Sequence, residues 1–342
     1  MRFTPIPHGD QVAERPSAAA FESARTLTTR FAEHGLRPLS LLRAPYLDSC
    51  ADPSGNTRVF LATESMQCTG SFKVRGAFFA LSSLAPGTRI VAASAGNHGV
   101  GVAKAARALG LTATICVPRT AAKKKIAAIE SFGADLELVG NSYDDAEAAA
   151  VAKAQANGLM FVSPYDDPQI VLGNGASVGF EIADALGQVP DVVLAPFGGG
   201  GLATGIGWAL GHCEPASVSR RRVVGVQSES SPVLEQSLAR GSALLTLQTA
   251  PTIAEGLEGG ITAAAFARAT DALAGVLTLP ESAIGHAVRF ARKELGLVLE
   301  GSAAAGLAPV LLGLPPALLG GNLVCVLTGR NIDDERLASL CA

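Results

Sequence analysis

The 342-residue sequence predicts an α/β fold with mostly parallel sheets flanked by helices, and two observations carry that expectation. Short, continuous apolar runs alternate with longer Ala-rich segments of helical period, the pattern of strands buried on both faces and the helices that cover them. The composition is 48% hydrophobic and 17% charged, against a usual charged share of about 25%, which is enough apolar surface for a large core. At about 150 residues per domain the length suggests two domains, or one with a large insertion.

In chain order the apolar runs place strands at 58–62, 90–93, 113–117, 136–139, 192–195, 223–226 and 323–327. Segments of helical period fall at 72–84, 99–109, 121–132, 144–156, 177–186, 202–210 and 281–295. The uncharged stretch 301–329 is long enough to cross a bilayer, but Pro309, Pro315, Pro316, Gly320 and Gly321 interrupt it, so it reads as a buried helix, a turn and a core strand. No repeat or polar linker separates the elements, which favours two closely packed lobes. The strand and helix units from about 82 onward suffice for a small lobe at 82–159, leaving 1–81 and 160–342 for a larger one.

Composition also excludes functions. Lys and Arg number 27 and Asp and Glu 30, so a net charge of −3 offers no basic excess for a nucleic-acid backbone. The runs Lys123-Lys124-Lys125 and Arg220-Arg221-Arg222 are short and read as solvated faces, not sites. Cys50, Cys68, Cys116, Cys213, Cys325 and Cys341 are scattered without metal-ligand spacing, a reduced inventory without zinc. After Arg2 come Pro5, Pro7, His8, Gly9 and Asp10, which form no signal-peptide core, so a cytoplasmic location without membrane attachment is expected.

Four loops at strand ends carry candidate chemistry, where an open α/β sheet places its ligands. In Thr69-Gly70-Ser71-Phe72-Lys73-Val74-Arg75-Gly76 the turn opens a helix, with Ser71 a candidate N-cap and Lys73 in the first turn. The helix dipole disfavours an ammonium there, which suits Schiff-base chemistry; the alternative is a solvated surface lysine. Ser94-Ala95-Gly96-Asn97-His98-Gly99 would point backbone N–H groups at an anion such as a carboxylate, and Asn97 could donate to a ring oxygen. His98 reads equally as a base or as structural and receives no catalytic role.

Gly198-Gly199-Gly200-Gly201-Leu202 can close on a phosphate at a helix start. It lacks the Lys-Ser/Thr ending of a nucleoside-triphosphate loop and the spacing of a dinucleotide fingerprint, and it is also compatible with a plain strand–helix turn. Thr328-Gly329-Arg330-Asn331 follows the last strand, where the hydroxyl would bond a ligand nitrogen or simply end the strand.

With these motifs in hand, the sequence resembles the fold type II pyridoxal-phosphate enzymes, the tryptophan synthase beta-like group, and within them the threonine/serine dehydratases (ammonia-lyases). Four motifs occur in the family's order from about residue 35 onward: T-G-S-F-K-x-R-G-A, S-A-G-N-H-G, G-G-G-G-L and T-G-x-N. Pro251-Thr252-Ile253-Ala254-Glu255-Gly256 and Glu300-Gly301-Ser302 add to it. The resemblance implies two lobes and a homodimer. It implies that Lys73 holds pyridoxal phosphate and later removes the substrate α-proton, with Phe72 beside the ring and Asn97 on its 3-hydroxyl. Gly198, Gly199, Gly200, Gly201 and Leu202 would cradle the phosphate, Thr328 would face the pyridine nitrogen, and Gly256 and Glu300 would line the pocket. Ser94, Ala95, Gly96, Asn97 and His98 would hold the substrate carboxylate.

A hydroxyl opposite the ring nitrogen stabilises a carbanion less than a carboxylate would, which favours elimination over transamination. The implied reaction converts L-threonine or L-serine to a 2-oxo acid and ammonia. Alternatives are a dehydratase of another β-hydroxy amino acid such as 3-hydroxyaspartate, a cofactor-binding protein without turnover, or a nucleotide-binding protein that uses only the glycine loop. Val74 replaces the Asp usual in threonine and cysteine synthases. Ala95 replaces the second serine of serine racemases, so racemisation should be minor. Gln227, Ser231 and Val233 stand where some relatives carry acidic metal ligands, so no metal is expected there. Tyr165, Asn174 and Arg330 also depart from the family. Arg330 would bind a second acidic group, point to solvent or pair with Asp333.

Overall fold

The computed structural model describes residues 1–7, 13–121, 123–215 and 221–342. His8, Gly9, Asp10 and Arg220, singled out above, lie outside the described residues, as does the side chain of Lys124. The strands are β1 (Arg2–Pro5), β2 (Ser40–Arg43), β3 (Thr57–Thr63), β4 (Arg89–Ala93), β5 (Thr112–Val117), β6 (Asp135–Leu138), β7 (Met160–Phe161), β8 (Val192–Pro196), β9 (Val223–Ser228), β10 (Leu273–Leu279) and β11 (Gly321–Leu327).

They form two sheets, a seven-stranded one in the order β1-β10-β9-β8-β11-β3-β2 and a four-stranded one in the order β6-β5-β4-β7. All pairs are parallel except the outermost two of the larger sheet, β1 with β10 and β2 with β3. The parallel strands β8 and β9 are buried along their whole length, which is why they appear in the sequence as unbroken apolar runs. The edge strands are short, half-exposed and carry Arg2 and Arg43, residues that discourage pairing with another chain.

Each of the seven expected strands and helices appears, but four strands were not legible. β10 follows the helix Ala263–Ala272 directly, with no turn residue between them, so the Ala-rich helix masks the strand. β7 is only two residues long and pairs with Ile90 and Val91. It lies just past 159, so the smaller sheet extends beyond the 82–159 span expected for its lobe. The stretch 301–329 holds two short helices, Gly301–Ala304 and Ala308–Leu311, in place of one; Pro309 sits in the first turn of the second, where its missing N–H is harmless.

The lysine-bearing helix Lys73–Leu81 packs against Asn97–Ala108 with little space between them: a Cβ at Gly101 would stand 3.2 Å from the Lys73 carbonyl oxygen. The base of the same helix is fixed by Arg75, which is fully buried. Its guanidinium donates to both carboxylate oxygens of Glu64 at 2.7 Å and to both of Glu181 at 3.0 and 2.8 Å. Glu181 also accepts from the Leu39 N–H and the Thr28 hydroxyl, so the buried charges are hydrogen-bonded on every side. Asn174 is structural in the same way, accepting from the Gly76 N–H at 2.9 Å.

Candidate active site

The loops after β3 and β11 are stitched together by their backbones. Phe72 N–H donates to the Thr328 carbonyl at 3.1 Å, Arg330 N–H to the Gly70 carbonyl at 2.9 Å, and Ser71 bridges Gly329. Lys73 is therefore held beside the end of the last strand although 255 positions separate it from Thr328. Ser71 does not act as the expected N-cap: the helix begins at Lys73 after Phe72, and the Ser71 hydroxyl is 3.5 Å from the Lys73 N–H, too long for a strong bond.

Lys73 is partly buried as a residue, but its amine is enclosed. Nζ donates to the Pro164 carbonyl at 3.0 Å and lies 5.3 Å from the centre of the Phe72 ring. Burial disfavours the ammonium and pushes its pKa down to about 8, against the opposing attraction of Glu300. Glu300 shows the converse effect: burial pushes its carboxyl up to about 7, with the Asn97 amide and the charge of Lys125 pulling the other way.

Asn97 Nδ2 donates to Glu300 Oε1 at 2.8 Å, and Asn97 Oδ1 accepts from Asn331 Nδ2 at 2.6 Å. A side chain at Gly329 would overlap the Glu300 carboxylate, so that glycine is what lets Glu300 approach. Thr328 is buried at the strand end.

The loop after β4 opens the helix Asn97–Ala108 at Gly96 without a side-chain cap. Two of its N–H groups are already engaged, Ser94 with the Cys116 carbonyl at 3.1 Å and Gly96 with the Ser94 hydroxyl at 3.0 Å. Val100 is the first residue to donate within the helix, to Gly96 at 3.2 Å, which leaves the N–H groups of Asn97, His98 and Gly99 without helical acceptors. Ala95 presents no proton-transfer group. His98 is buried, with Nε2 3.0 Å from the Val162 carbonyl, so Nε2 carries the proton. Burial and the nearby Lys73 push its pKa down to about 3. It is a neutral wall residue, and Nδ1 has no partner among the described residues.

The glycine turn joins β8 to the helix Gly201–His212, with Gly200 in the left-handed region at φ +85°. The turn is tight on its outer side: a Cβ at Gly198 would stand 2.8 Å from the Gly256 carbonyl, and one at Gly199 2.5 Å from the Tyr165 side chain. Thr204 is the first residue to donate within the helix, so Gly201, Leu202 and Ala203 keep free N–H groups in the turn that opens it. Gly256 is anchored by donating to Ser302 Oγ at 2.8 Å.

A family model described as pyridoxal-phosphate dependent enzyme matches residues 33–329, a span that contains the first three loops and the start of the fourth, Thr328 and Gly329. The chain belongs to this family. Among its relatives, the L-threonine ammonia-lyase of Thermotoga maritima is 38% identical over 282 residues, 80% of this chain and 67% of that protein. The catabolic L-threonine dehydratase of Escherichia coli is 34% identical over 290 residues, 82% of this chain and 85% of that one. The T.th. threonine deaminase structure superposes with a TM-score of 0.80 at 32% identity, covering 93% of this chain and 99% of that chain. Maize serine racemase, at 24% identity and a TM-score of 0.82 over 93% of this chain and 95% of that one, shares the fold. This pyridoxal-phosphate enzyme thus has its fold and its cofactor fixed by its family.

Several expectations need correction. The two basic runs are not simply solvated: Lys125 pairs with Glu255 at 2.8 Å, joining the helix Lys123–Glu130 to the 251–256 loop. Arg221 donates to the Thr270 and Ile6 carbonyls, and Arg222 pairs with Glu214. Arg330 is exposed, with Nη1 3.4 Å from the Met66 sulfur, and has no pair with Asp333 among the described residues. Its neighbour Asn331, the last residue of the T-G-x-N motif, which was given no role of its own, makes the contact to Asn97. Gln227 is buried and bonded to the Thr278 hydroxyl and the Leu234 N–H. Among the described residues no group of three His, Cys, Asp or Glu side chains is placed to hold a metal, and no helix is long and apolar enough to cross a membrane.

Proposed function

We propose that the enzyme dehydrates and deaminates a small β-hydroxy amino acid, L-threonine or L-serine, to a 2-oxo acid and ammonia. The observation that carries this reading is the enclosed Lys73 amine, whose charge feels the Glu300 carboxylate, which is itself bonded to Asn97 at the helix start that offers free N–H groups. The L-threonine ammonia-lyase and dehydratase relatives support the substrate class.

The pocket fits pyridoxal phosphate in its donor set: an amine whose neutral form is favoured, a glycine turn with unpaired helix N–H groups, and a buried hydroxyl at Thr328. Lys73 would hold the cofactor through Nζ, with Phe72 beside the ring. Gly198 to Gly201 and Leu202 would bind its phosphate, Asn97 its 3-hydroxyl and Thr328 its ring nitrogen, with Gly256 and Glu300 in the wall. When bound, the cofactor supplies a conjugated ring that takes up electron density as the substrate Cα–H bond breaks.

The chain's own groups do the rest. At a pKa of about 8, about a tenth of the free Lys73 amine is neutral at pH 7, against about three parts in ten thousand at the ordinary value, so Nζ is able to accept the α-proton. In the loop Ser94 to His98, the free N–H groups of Asn97 and His98, with that of Gly99, would bind the substrate carboxylate at the positive end of the helix. Neutral His98 buttresses that loop from Val162 and takes no proton. With Ala95 on the same loop, racemisation stays minor. The exposed position of Arg330 gives no support to a dicarboxylic substrate. A homodimer in the cytoplasm, with a small lobe at 82–159 whose sheet β7 carries to 161, belongs to the same proposal; the six unpaired cysteines are in keeping with a reducing compartment.

The test is product formation by the holoenzyme. Equimolar ammonia and 2-oxo acid are expected from L-threonine or L-serine, with loss of at least about a thousandfold in Lys73→Ala. Release of ammonia without oxo acid, or full activity of the variant, would contradict the reading.

A further inference from the structure

Asn331 lies in the loop after β11 and is assigned no contact with the cofactor, yet its amide acts with Glu300 to set the direction of the Asn97 amide, which is assigned one. A single nitrogen, Asn331 Nδ2, donates both to the Thr69 carbonyl at 2.8 Å and to Asn97 Oδ1 at 2.6 Å. A backbone carbonyl only accepts, so the Asn331 atom facing Thr69 has to be the nitrogen. Its second hydrogen then requires an acceptor on Asn97, which fixes Oδ1 on that side. Asn97 Nδ2 is thereby turned to the other side, where it donates one hydrogen to Glu300 Oε1 at 2.8 Å and keeps its second hydrogen. The backbone supports this arrangement. Arg330 N–H is bonded to the Gly70 carbonyl, and Gly70, at φ +75°, carries no side chain where one would overlap Asn331.

We propose that Asn331 is a positioning residue: it fixes the orientation of the Asn97 amide and so presents Asn97 Nδ2, not Oδ1, to the 3-hydroxyl of the cofactor. This rests on the reading above that Asn97 meets that hydroxyl. Without Asn331, Glu300 alone holds the Asn97 amide, and a Glu300 carboxyl that carries a proton can donate to Oδ1 as readily as the carboxylate accepts from Nδ2, so the amide can turn over and set its oxygen against an ionised ring oxygen, a repulsive contact in place of a hydrogen bond.

The test compares wild-type holoenzyme with Asn331→Ala, a truncation of an exposed side chain, and Asn331→Asp, which keeps the shape but puts a charged acceptor in place of the donor; because that charge raises the midpoint by itself, the alanine variant decides. The readout is the pH at which the visible band of the bound cofactor titrates, together with cofactor affinity and thermal midpoint. A donor to the ionised oxygen lowers the titration midpoint, so both variants are expected to raise it by about one pH unit and to weaken cofactor binding about tenfold. A purely structural role would lower the thermal midpoint and leave the titration unmoved, and that result overturns the proposal. Asn97→Ala, measured alongside, separates the two levels. If it moves the titration while both Asn331 variants leave it unmoved, the orientation role is wrong and the Asn97 assignment stands. If none of the three moves it, the Asn97 assignment fails as well.

Discussion

Glu300 and Lys73 are enclosed together, and each pays for that burial in its charged form. For Glu300 the consequence for stability has a definite sign. Its ordinary pKa is 4.5 and the folded value is about 7, so between those limits the folded chain holds a proton that the unfolded chain has released. The contribution is therefore complete below pH 4.5 and is lost as the pH rises through 7. Glu300→Gln cannot ionise, and its Oε1 still accepts from Asn97. The cofactor-free variant should be more stable than wild type at pH 8, by up to about 3 kcal/mol, with the difference vanishing near pH 4. Denaturant midpoints at the two pH values check this; an equal gap at both would show that the carboxyl is not perturbed in the folded chain. At this scale the sequence was informative about residue types and less so about directions. Lys73 and Asn97 stand out through their loops. Asn331 stands in the T-G-x-N motif, but its role was not legible, because it depends on which end of one amide faces which end of another, and Arg330 drew attention by its charge although it points outward.

At the scale of an element, the glycine turn combines a left-handed backbone position with free helix N–H groups. Gly200, at φ +85°, reverses the chain between β8 and the helix Gly201–His212, and an alanine there would sit in the left-handed region at a cost of about 1–2 kcal/mol. Gly200→Ala should lower the stability of the cofactor-free chain by about that amount and weaken cofactor binding by more than the loss of stability alone explains. Thermal unfolding without cofactor and cofactor titration separate the two effects; weakened folding with unchanged affinity would remove the turn from the phosphate site. The turn was legible because four consecutive glycines follow a buried strand. β10 was not, because the helix before it runs into it without punctuation. β7 is too short to leave a pattern.

Across the whole molecule, the candidate site lies where the two sheets' loops meet. The larger sheet supplies the Lys73 loop, the glycine turn and Thr328; the smaller supplies the Ser94 to His98 loop after β4. Arg75 holds the two helices Lys73–Leu81 and Ser177–Leu186 to the end of β3 through Glu64 and Glu181. Those carboxylates are 117 positions apart, and no local pattern announces their meeting. That network lies within the larger lobe; Lys125 and Glu255 add a partly exposed tie between the two lobes, of the kind worth about 1 kcal/mol or less. Fold class and the four loops were therefore readable from periodicity and motifs, whereas the long-range charge pairs that fix them relative to one another were not. The central claim is that Lys73 holds the cofactor and that an amino acid displaces it there. The most direct measurement is the visible absorption spectrum of the purified holoenzyme during titration with L-threonine, beside Lys73→Ala. A cofactor band that shifts on addition in the wild type, and that is lost in the variant, is the expected result. A variant that keeps the same band and the same response to L-threonine would contradict it.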